Sequence, residues 1–140
     1  MKRGFTLIEI MIVVAILMVL IGLAIPNILR SRSVANEGVA VANLKILSDA
    51  CQLYHANRGA FPETLLELAM PISNPPYIDQ LLGSGSKQGY GFIYVLNGLG
   101  FTVNANPTSI LGGRYYYVDE TGAVHVREGQ AASSSDPTLQ

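Results

Sequence analysis

The stretch that decides the fold is residues 5–25, which read FTLIEIMIVVAILMVLIGLAI. From Ile10 to Ile25 no polar side chain interrupts the run. As a helix it extends for roughly 30 Å, which matches the hydrocarbon thickness of one bilayer. The sequence therefore predicts a transmembrane helix, with the span and its flank over residues 5–27.

Glu9 is the one charged residue in this run. A carboxylate inside a span costs up to about 2.5–3.5 kcal/mol at the bilayer centre and less toward an end, so it marks a function by default. A carboxylate and an amine that are both removed from water offset much of this cost when they pair. We therefore expect Glu9 to require a positively charged partner.

The residues around the start of the run carry a specific pattern. Residues 2–9 read KRGFTLIE: a short basic leader that ends in Gly4, then Phe5, then Glu9 four residues later. With Pro26 farther on, this pattern resembles the prepilin leader of type IV pilins and type II secretion pseudopilins. The resemblance is strong through Pro26 and covers the rest of the chain only in outline.

The resemblance implies two modifications and one contact. A membrane aspartyl peptidase is expected to cut the leader, residues 1–4, between Gly4 and Phe5 and to methylate the new Phe5 amine. Glu9 is then expected to meet the Phe5 amine of a neighbouring subunit during filament assembly. Phe5 and Glu9 also lie one helical turn apart, so an internal pair is possible. The sequence leaves both pairings open.

The Gly22–Pro26 segment is the weakest part of the helix. Pro26 has no N–H for the Gly22 carbonyl, and its ring crowds that carbonyl. Gly22 is itself a poorer helix former than alanine by about 1 kcal/mol. The resemblance suggests that this segment melts and extends in a filament. A static kink at the membrane edge is the alternative.

Apolar residues keep a helical spacing beyond the span, so residues 28–58 are expected to be an amphipathic continuation of the helix. One stripe comprises Val39, Ala42, Ile46, Ala50 and Leu53. A second stripe widens it with Val41, Leu44, Leu47, Cys51 and Tyr54. The sequence from Asn57 to Gly59 predicts the helix end.

Residues 59–128 are expected to form a globular head. Short helical turns are predicted over 61–68 and 78–82. Two hairpins follow, with strands 92–96 and 101–105 around residues 97–100, and strands 115–118 and 123–127 around residues 119–122. The fold class is therefore α+β and pilin-like: a long N-terminal helix packed against a small antiparallel β-sheet head. Residues 129–140 predict a flexible tail.

Three clusters in the second half of the chain invite a chemical interpretation. Cys51 and His55 have the helical spacing of a thiolate–imidazole pair, but no third ligand or orienting acid accompanies them. The Asp119–Gly122 stretch is a candidate calcium loop, as in some major pseudopilins. It lacks the spaced set of acids that would supply the oxygen ligands of calcium, so a strand turn is the simpler explanation. Tyr115–Tyr117 alternate faces, so at least one is expected at the surface. We predict no catalytic residue, metal or cofactor.

Charge and cysteine content further narrow the classes of protein to which the chain could belong. Loss of Lys2 and Arg3 leaves 7 basic against 10 acidic residues, so the net charge falls from −1 to −3. No basic patch appears, which argues against a dedicated nucleic-acid site. Cys51 is the only cysteine, so an internal disulfide is excluded. Many type IV pilins have one, and the chain departs from them here.

The sequence thus predicts a structural subunit of a type IV pilus-like filament, not an enzyme. The implied partners are copies of itself, minor pilins or pseudopilins, the prepilin peptidase, the inner-membrane assembly platform with its ATPase, and membrane lipid before assembly. The expected location is the inner membrane, as a single-pass protein with a periplasmic head, and then a cell-surface pilus or a periplasmic pseudopilus. A major pseudopilin of a type II secretion system is the alternative within the family.

A conventional secretory signal peptide is the alternative from another class. In the Gly22–Ala24 stretch, Gly22 and Ala24 are small residues of the kind that a signal peptidase prefers, and the mature chain would then begin at Ile25 as a secreted soluble binding protein. The apolar run is, however, longer than the usual stretch of about 7–15 residues, and Glu9 interrupts its early part.

Overall fold

The computed structural model describes residues 4–98, 100–109 and 113–139. The chain divides between Val34 and Ala35 into two compact units. The first unit contains the N-terminal part of helix α1 (Leu7–Arg58). The second contains the rest of α1 and an antiparallel sheet. The predicted α+β architecture, with a long apolar N-terminal helix and a small sheet, is confirmed.

Helix α1 ends where the sequence predicts. Gly59 has a φ of +76°, in the left-handed region that glycine tolerates best. Its N–H donates to the His55 carbonyl at 2.7 Å, so one of the last carbonyls of the helix is satisfied. The helix therefore stops at Arg58 because the chain turns away at a glycine, not because the apolar pattern ends.

The sheet has five strands in sequential order: β1 (Ser86–Lys87), β2 (Tyr90–Asn97), β3 (Gly100–Pro107), β4 (Arg114–Asp119) and β5 (Val124–Glu128). All neighbouring strands are antiparallel. The four predicted strands are present, and the two-residue β1 is additional.

The first hairpin is tighter than the sequence suggested. Asn97 pairs with Gly100, so the strands run closer to the turn than the predicted connection 97–100 allows. Gly98 has a φ of +57°, which suits a two-residue hairpin turn. Leu99, the other turn residue, lies outside the described residues.

The short helices begin later than predicted. A 3₁₀ helix covers Leu65–Leu68, because Thr64 is still extended with φ −141° and ψ 157°. Helix α2 covers Gln80–Gly83, and Asp79 caps it by accepting a hydrogen bond from the Leu82 N–H at 3.0 Å. In both places an extended residue sets the helix start.

The core lies between one face of α1 and one face of the sheet. The second unit buries Ala40, Leu44, Leu47 and Cys51 on the helix and Phe101, Val103, Tyr116 and Val118 on the sheet. Of the first stripe predicted from sequence, only Ala50 is buried, whereas Ile46 and Leu53 remain 48% and 54% exposed. The packed part of the predicted stripe is the part with Leu44, Leu47 and Cys51, because the sheet covers that side of the helix.

An ion pair joins α1 to β4 within the second unit. The Glu37 carboxylate accepts from both Nε and NH2 of Arg114, at 2.9 and 2.8 Å. Only 12% of the Glu37 side chain is accessible to solvent. The hydrogen bond to Glu37 raises the pKa of the Arg114 guanidinium, so the guanidinium stays charged. It fixes the start of the packed part of the helix to the sheet.

The predicted flexible tail is held against the edge strand β5. The Val126 N–H donates to the Pro137 carbonyl at 3.0 Å, and the Leu139 N–H donates to the Val124 carbonyl at 2.7 Å. The segment therefore satisfies backbone groups that β5 would otherwise present at the sheet edge. The composition suggested a solvated coil, but main-chain pairing orders residues 129–139.

Asp136 organises this C-terminal segment. Its carboxylate accepts from the Ser133 N–H at 2.7 Å and lies 3.7 Å from an Arg127 nitrogen. Its main-chain oxygen lies 2.6 Å from His125 Nδ1. The Ser133 hydrogen bond lowers the pKa of the Asp136 carboxyl.

Substitution of the helix face tests the core assignment. Leu47→Ala should destabilise the head by about 2–5 kcal/mol, because it leaves a cavity in a fully buried site. Ile46→Ala, one position along, should change stability by no more than about 0.5 kcal/mol. Thermal unfolding of the full chain in detergent, followed by near-ultraviolet circular dichroism, measures both. Equal losses would show that the sheet does not distinguish the two stripes.

The attachment of the C-terminal segment should depend on the ionised Asp136. A carboxyl whose pKa is lowered on folding stabilises the fold above its unfolded pKa, and this is lost as the pH falls through the folded value. We expect the amide protection factors of Val126 and Leu139 to decrease when the pH is lowered below 3.8, the ordinary aspartate pKa. In Asp136→Ala they should already be low at neutral pH.

Hydrogen exchange of the full chain measures this effect. Val103, inside the sheet, is the internal reference, and Asp49→Ala is the control for loss of an exposed carboxylate. Unchanged protection of Leu139 in Asp136→Ala would refute this role of Asp136.

Candidate assembly site on the N-terminal helix

Thr6 shapes the start of helix α1. Its Oγ1 accepts a hydrogen bond from the Glu9 N–H at 3.3 Å, and its carbonyl accepts from the Ile10 N–H at 3.4 Å. Thr6 and Glu9 have the spacing of a capping box, in which a threonine and a glutamate three residues later satisfy the first helical N–H groups. Thr6 is not among the residues predicted above, although the spacing T-x-x-E signals it directly.

Glu9 lies in the first turn of α1 and is exposed. Within residues 4–98, 100–109 and 113–139, its carboxylate takes part in no ion pair or side-chain hydrogen bond. A negative charge at this position is favoured by the positive end of the helix dipole, by about 0.3–1 kcal/mol. This interaction supplies no counter-ion, so Glu9 stays without a cation in the described part of the chain.

Gly4 and Phe5 precede the helix and are exposed, with 78% of Phe5 accessible. The Gly4–Phe5 peptide bond therefore lies outside regular structure. Phe5 N is an amide nitrogen while this bond is intact, so it becomes a cation only after cleavage. The proposed partner of Glu9 is thus absent from the uncleaved chain for a chemical reason.

The helix from Leu7 to Leu29 presents its apolar side chains to the outside on every face. Its large aliphatic residues are between 40% and 79% exposed. The helix contains an 18-residue window with a mean hydropathy of 3.0, none of it buried within the protein. By length and composition it can cross a membrane.

The predicted weak segment is helical in the structure. Helix α1 continues through Pro26. Just after the proline, Asn27 Nδ2 donates to the Leu23 carbonyl at 3.1 Å, which adds a side-chain bond beside the site where Pro26 removes a main-chain one. A Cβ on Gly22 would meet nothing within 4 Å in the described chain. Packing within the subunit therefore does not require glycine at this position.

The structure separates the cysteine and histidine that the spacing brought together. Cys51 is fully buried, and burial raises the pKa of its thiol to about 12. His55 is exposed, and its ring stacks on Phe61 with centroids 4.4 Å apart. The thiol thus stays protonated within the core, and His55 packs elsewhere.

The Asp119–Gly122 stretch is a turn between β4 and β5. Asp119 Oδ1 accepts from both the N–H and the hydroxyl of Thr121, at 3.0 and 2.5 Å. Gly122 has a φ of +76°. Among the described residues, no group of three or more His, Cys, Asp or Glu side chains is placed to hold a metal ion. These local hydrogen bonds account for the turn.

The three tyrosines of β4 alternate as strand geometry requires. Tyr116 is buried against the helix, whereas Tyr115 and Tyr117 are half-buried on the opposite face. Tyr117 makes an edge contact with His125, at 5.8 Å between ring centroids. Tyr115 and Tyr117 are thus only partly accessible to solvent.

Comparison with known proteins supports the N-terminal pattern. Residues 1–25 match the family model described as the prokaryotic N-terminal methylation motif. The match spans the leader, Glu9 and the whole apolar run. It gives no support to the conventional signal peptide.

The chain is also similar to proteins named type II secretion system core protein G. It is 33% identical to that of Escherichia coli (strain K12) over 89 residues, which are 64% of this chain and 61% of that one. With the protein of Pectobacterium carotovorum subsp. carotovorum it shares 35% identity over 74 residues, or 53% and 47%. The Pseudomonas aeruginosa protein is 36% identical over 74 residues, or 53% and 52%.

The matches therefore span about half to three-fifths of these relatives. No solved structure matches the chain at a significant level. The methylation motif, the relatives and the helix-plus-sheet architecture support a place in the broad family of type IV pilins and type II secretion pseudopilins.

Proposed function

We propose that this chain is a structural subunit of a helical filament, held in a membrane by α1 before assembly. The names of its relatives favour a type II secretion pseudopilus over the type IV pilus that the sequence alone slightly favoured. The role is structural: the chain supplies an apolar helix for the filament interior and a sheet head for its outside. It carries out no reaction of its own.

The observation that carries the proposal is the bare apolar helix with one acid at its start. Soluble monomers rarely expose apolar patches larger than a few hundred Å², and here every face of a bilayer-length helix is apolar. Two surroundings satisfy such a surface: lipid tails, or the same helix of other subunits. Because both are apolar, a subunit can move from the bilayer into a fibre without exposing this helix to water.

Glu9 gives this transfer its specificity. Lipid offers no cation at the depth of the apolar run, whereas a neighbouring processed subunit offers the Phe5 amine. Pairing of the two charges offsets their desolvation and fixes how far one helix slides along the next. We propose that the Phe5 amine and Glu9 pair between subunits, with Thr6 holding the first helical turn that presents Glu9.

The remaining steps follow from this role. A prepilin peptidase cuts between Gly4 and Phe5 and methylates Phe5. An inner-membrane platform and its ATPase move the subunit, with minor subunits as further partners. The head lies in the periplasm, and the finished fibre is a periplasmic pseudopilus or a surface pilus. We also propose that Gly22–Pro26 is where α1 unwinds on assembly, since a main-chain hydrogen bond is already missing there.

Glu9→Ala tests the proposal. Membrane insertion should be unchanged or improved, because the substitution removes a charge from the apolar run. Filament yield should fall to background, because the pairing that sets helix register is lost. Membrane fractionation and electron microscopy of isolated fibres measure the two outcomes separately.

Glu63→Ala is the control, since it removes an exposed acid from the head. It should leave both insertion and fibres unchanged. Normal fibres from Glu9→Ala would rule out the charge pair as the assembly determinant. Failure of the wild-type chain to fractionate with membranes would reject the proposed function itself.

A further inference from the structure

Two arginines follow the apolar run and have no acidic partner. Arg30 and Arg32 are the only basic residues between Gly4 and Leu44, and no Asp or Glu occurs from residue 10 to residue 36. Neither arginine takes part in an ion pair within the described part of the chain. An acid within one helical turn, the usual neutraliser of an exposed helix cation, is thus excluded by the sequence itself.

The polar residues beside them are already engaged with their own helix. Asn27 Nδ2 donates to the Leu23 carbonyl at 3.1 Å, and the Ser31 hydroxyl donates to the Asn27 carbonyl at 2.9 Å. The two guanidinium groups are therefore charged groups of this turn that have no ion pair in the described part of the chain, and both are exposed.

Their position along the helix fits the surface of a membrane. Arg30 and Arg32 lie five and seven residues beyond Ile25, or roughly 7–11 Å along the axis at 1.5 Å per residue. If residues 5–25 span the hydrocarbon, the guanidinium groups reach the headgroup layer. Exposed apolar residues flank them in the sequence, namely Ile28, Leu29 and Val34. Arginine can lay its aliphatic stem on such surface and direct its charge outward.

Their arrangement around the helix points to a surrounding partner. Two residues apart on an α-helix correspond to about 200° of rotation, so the two arginines project on opposite sides. A single acidic patch on one neighbouring protein cannot face both. A layer of phosphates encircles a spanning helix, and guanidinium binds phosphate with two parallel hydrogen bonds.

We propose that Arg30 and Arg32 form a collar that binds the phosphates of anionic phospholipids at the membrane face next to the head. This inference rests on the membrane-spanning helix of the proposed function. Before cleavage, Lys2 and Arg3 place two basic residues at the other end of the run, so the helix is held from both sides. After removal of residues 1–4 only the collar side keeps basic side chains. Movement of the helix toward that side is then no longer opposed by leader charges.

Lipid retention measures the collar directly. The full chain in neutral detergent is titrated with phosphatidylglycerol or phosphatidylcholine, and bound lipid is counted by native mass spectrometry. Each arginine should contribute about fivefold to phosphatidylglycerol affinity. The Arg30→Gln/Arg32→Gln variant should therefore bind it about 25-fold more weakly, with phosphatidylcholine binding unchanged, and added salt should reduce the difference.

The matched control is Lys45→Gln/Arg58→Gln, which removes the same charge from exposed sites in the second unit. The leader residues stay constant in all variants, so their contribution cancels. Equal phosphatidylglycerol affinity in all three proteins, or an equal loss in both double variants, would overturn the collar. So would fibre loss in Arg30→Gln/Arg32→Gln with lipid binding intact, which would assign the arginines to contacts between subunits.

Flotation with vesicles separates this failure from failure of the proposed function. If the chain enters vesicles but shows no preference for anionic lipid, only the collar proposal fails. If the wild-type chain does not enter vesicles, both the spanning helix and the collar that depends on it are rejected.

Discussion

An unneutralised carboxylate at the start of a bilayer-length apolar helix is the constraint on which the rest of this molecule depends. The Glu9 N–H is satisfied by Thr6, yet the carboxylate has no cation among the described residues. A helix dipole provides only a small part of what desolvation costs. In the proposed function, the cation is the Phe5 amine, which exists only after the Gly4–Phe5 bond is cut. Processing, neutralisation and assembly are, in this proposal, linked through one charge.

The same helix serves two environments with two different surfaces. Up to Val34 its apolar side chains face outward on all sides, and its stability there depends on what surrounds it. From Ala40 onward one face is buried under the sheet, and the Glu37–Arg114 pair fixes its beginning. Ile46 and Leu53 nevertheless stay exposed. The head thus covers the helix only in part, as a subunit designed to pack with others would allow.

Much of this could be predicted from the sequence because the deciding signals are local. The span, Glu9 and the glycine after Arg58 are each recognisable within a few residues. The buried face of α1 could not be recognised in this way, because Ile46 and Leu47 are equally apolar. Which of them is buried depends on where the sheet lies. Strand β1 has two residues, which is too few for a periodic pattern. The Glu37–Arg114 pair joins residues 77 apart, and no local rule predicts it.

The C-terminal segment shows a different limit. Its Ser- and Ala-rich composition has no apolar period, so it predicts a coil, whereas main-chain hydrogen bonds to β5 and the Asp136 contacts order it. Thr6 is the opposite case, since the T-x-x-E spacing was available and was overlooked. Composition is therefore a weak guide to segments whose order comes from backbone pairing at a sheet edge.

The most direct measurement is a zero-length carbodiimide cross-link in isolated fibres assembled from a mixture of isotopically light and heavy subunits. The account predicts an amide between the Phe5 nitrogen of one subunit and the Glu9 carboxyl of another. Mass spectrometry would then find light–heavy pairs of the linked peptides. If the Phe5–Glu9 amide occurs only within single peptides, each wholly light or wholly heavy, the pair is internal and the account is contradicted.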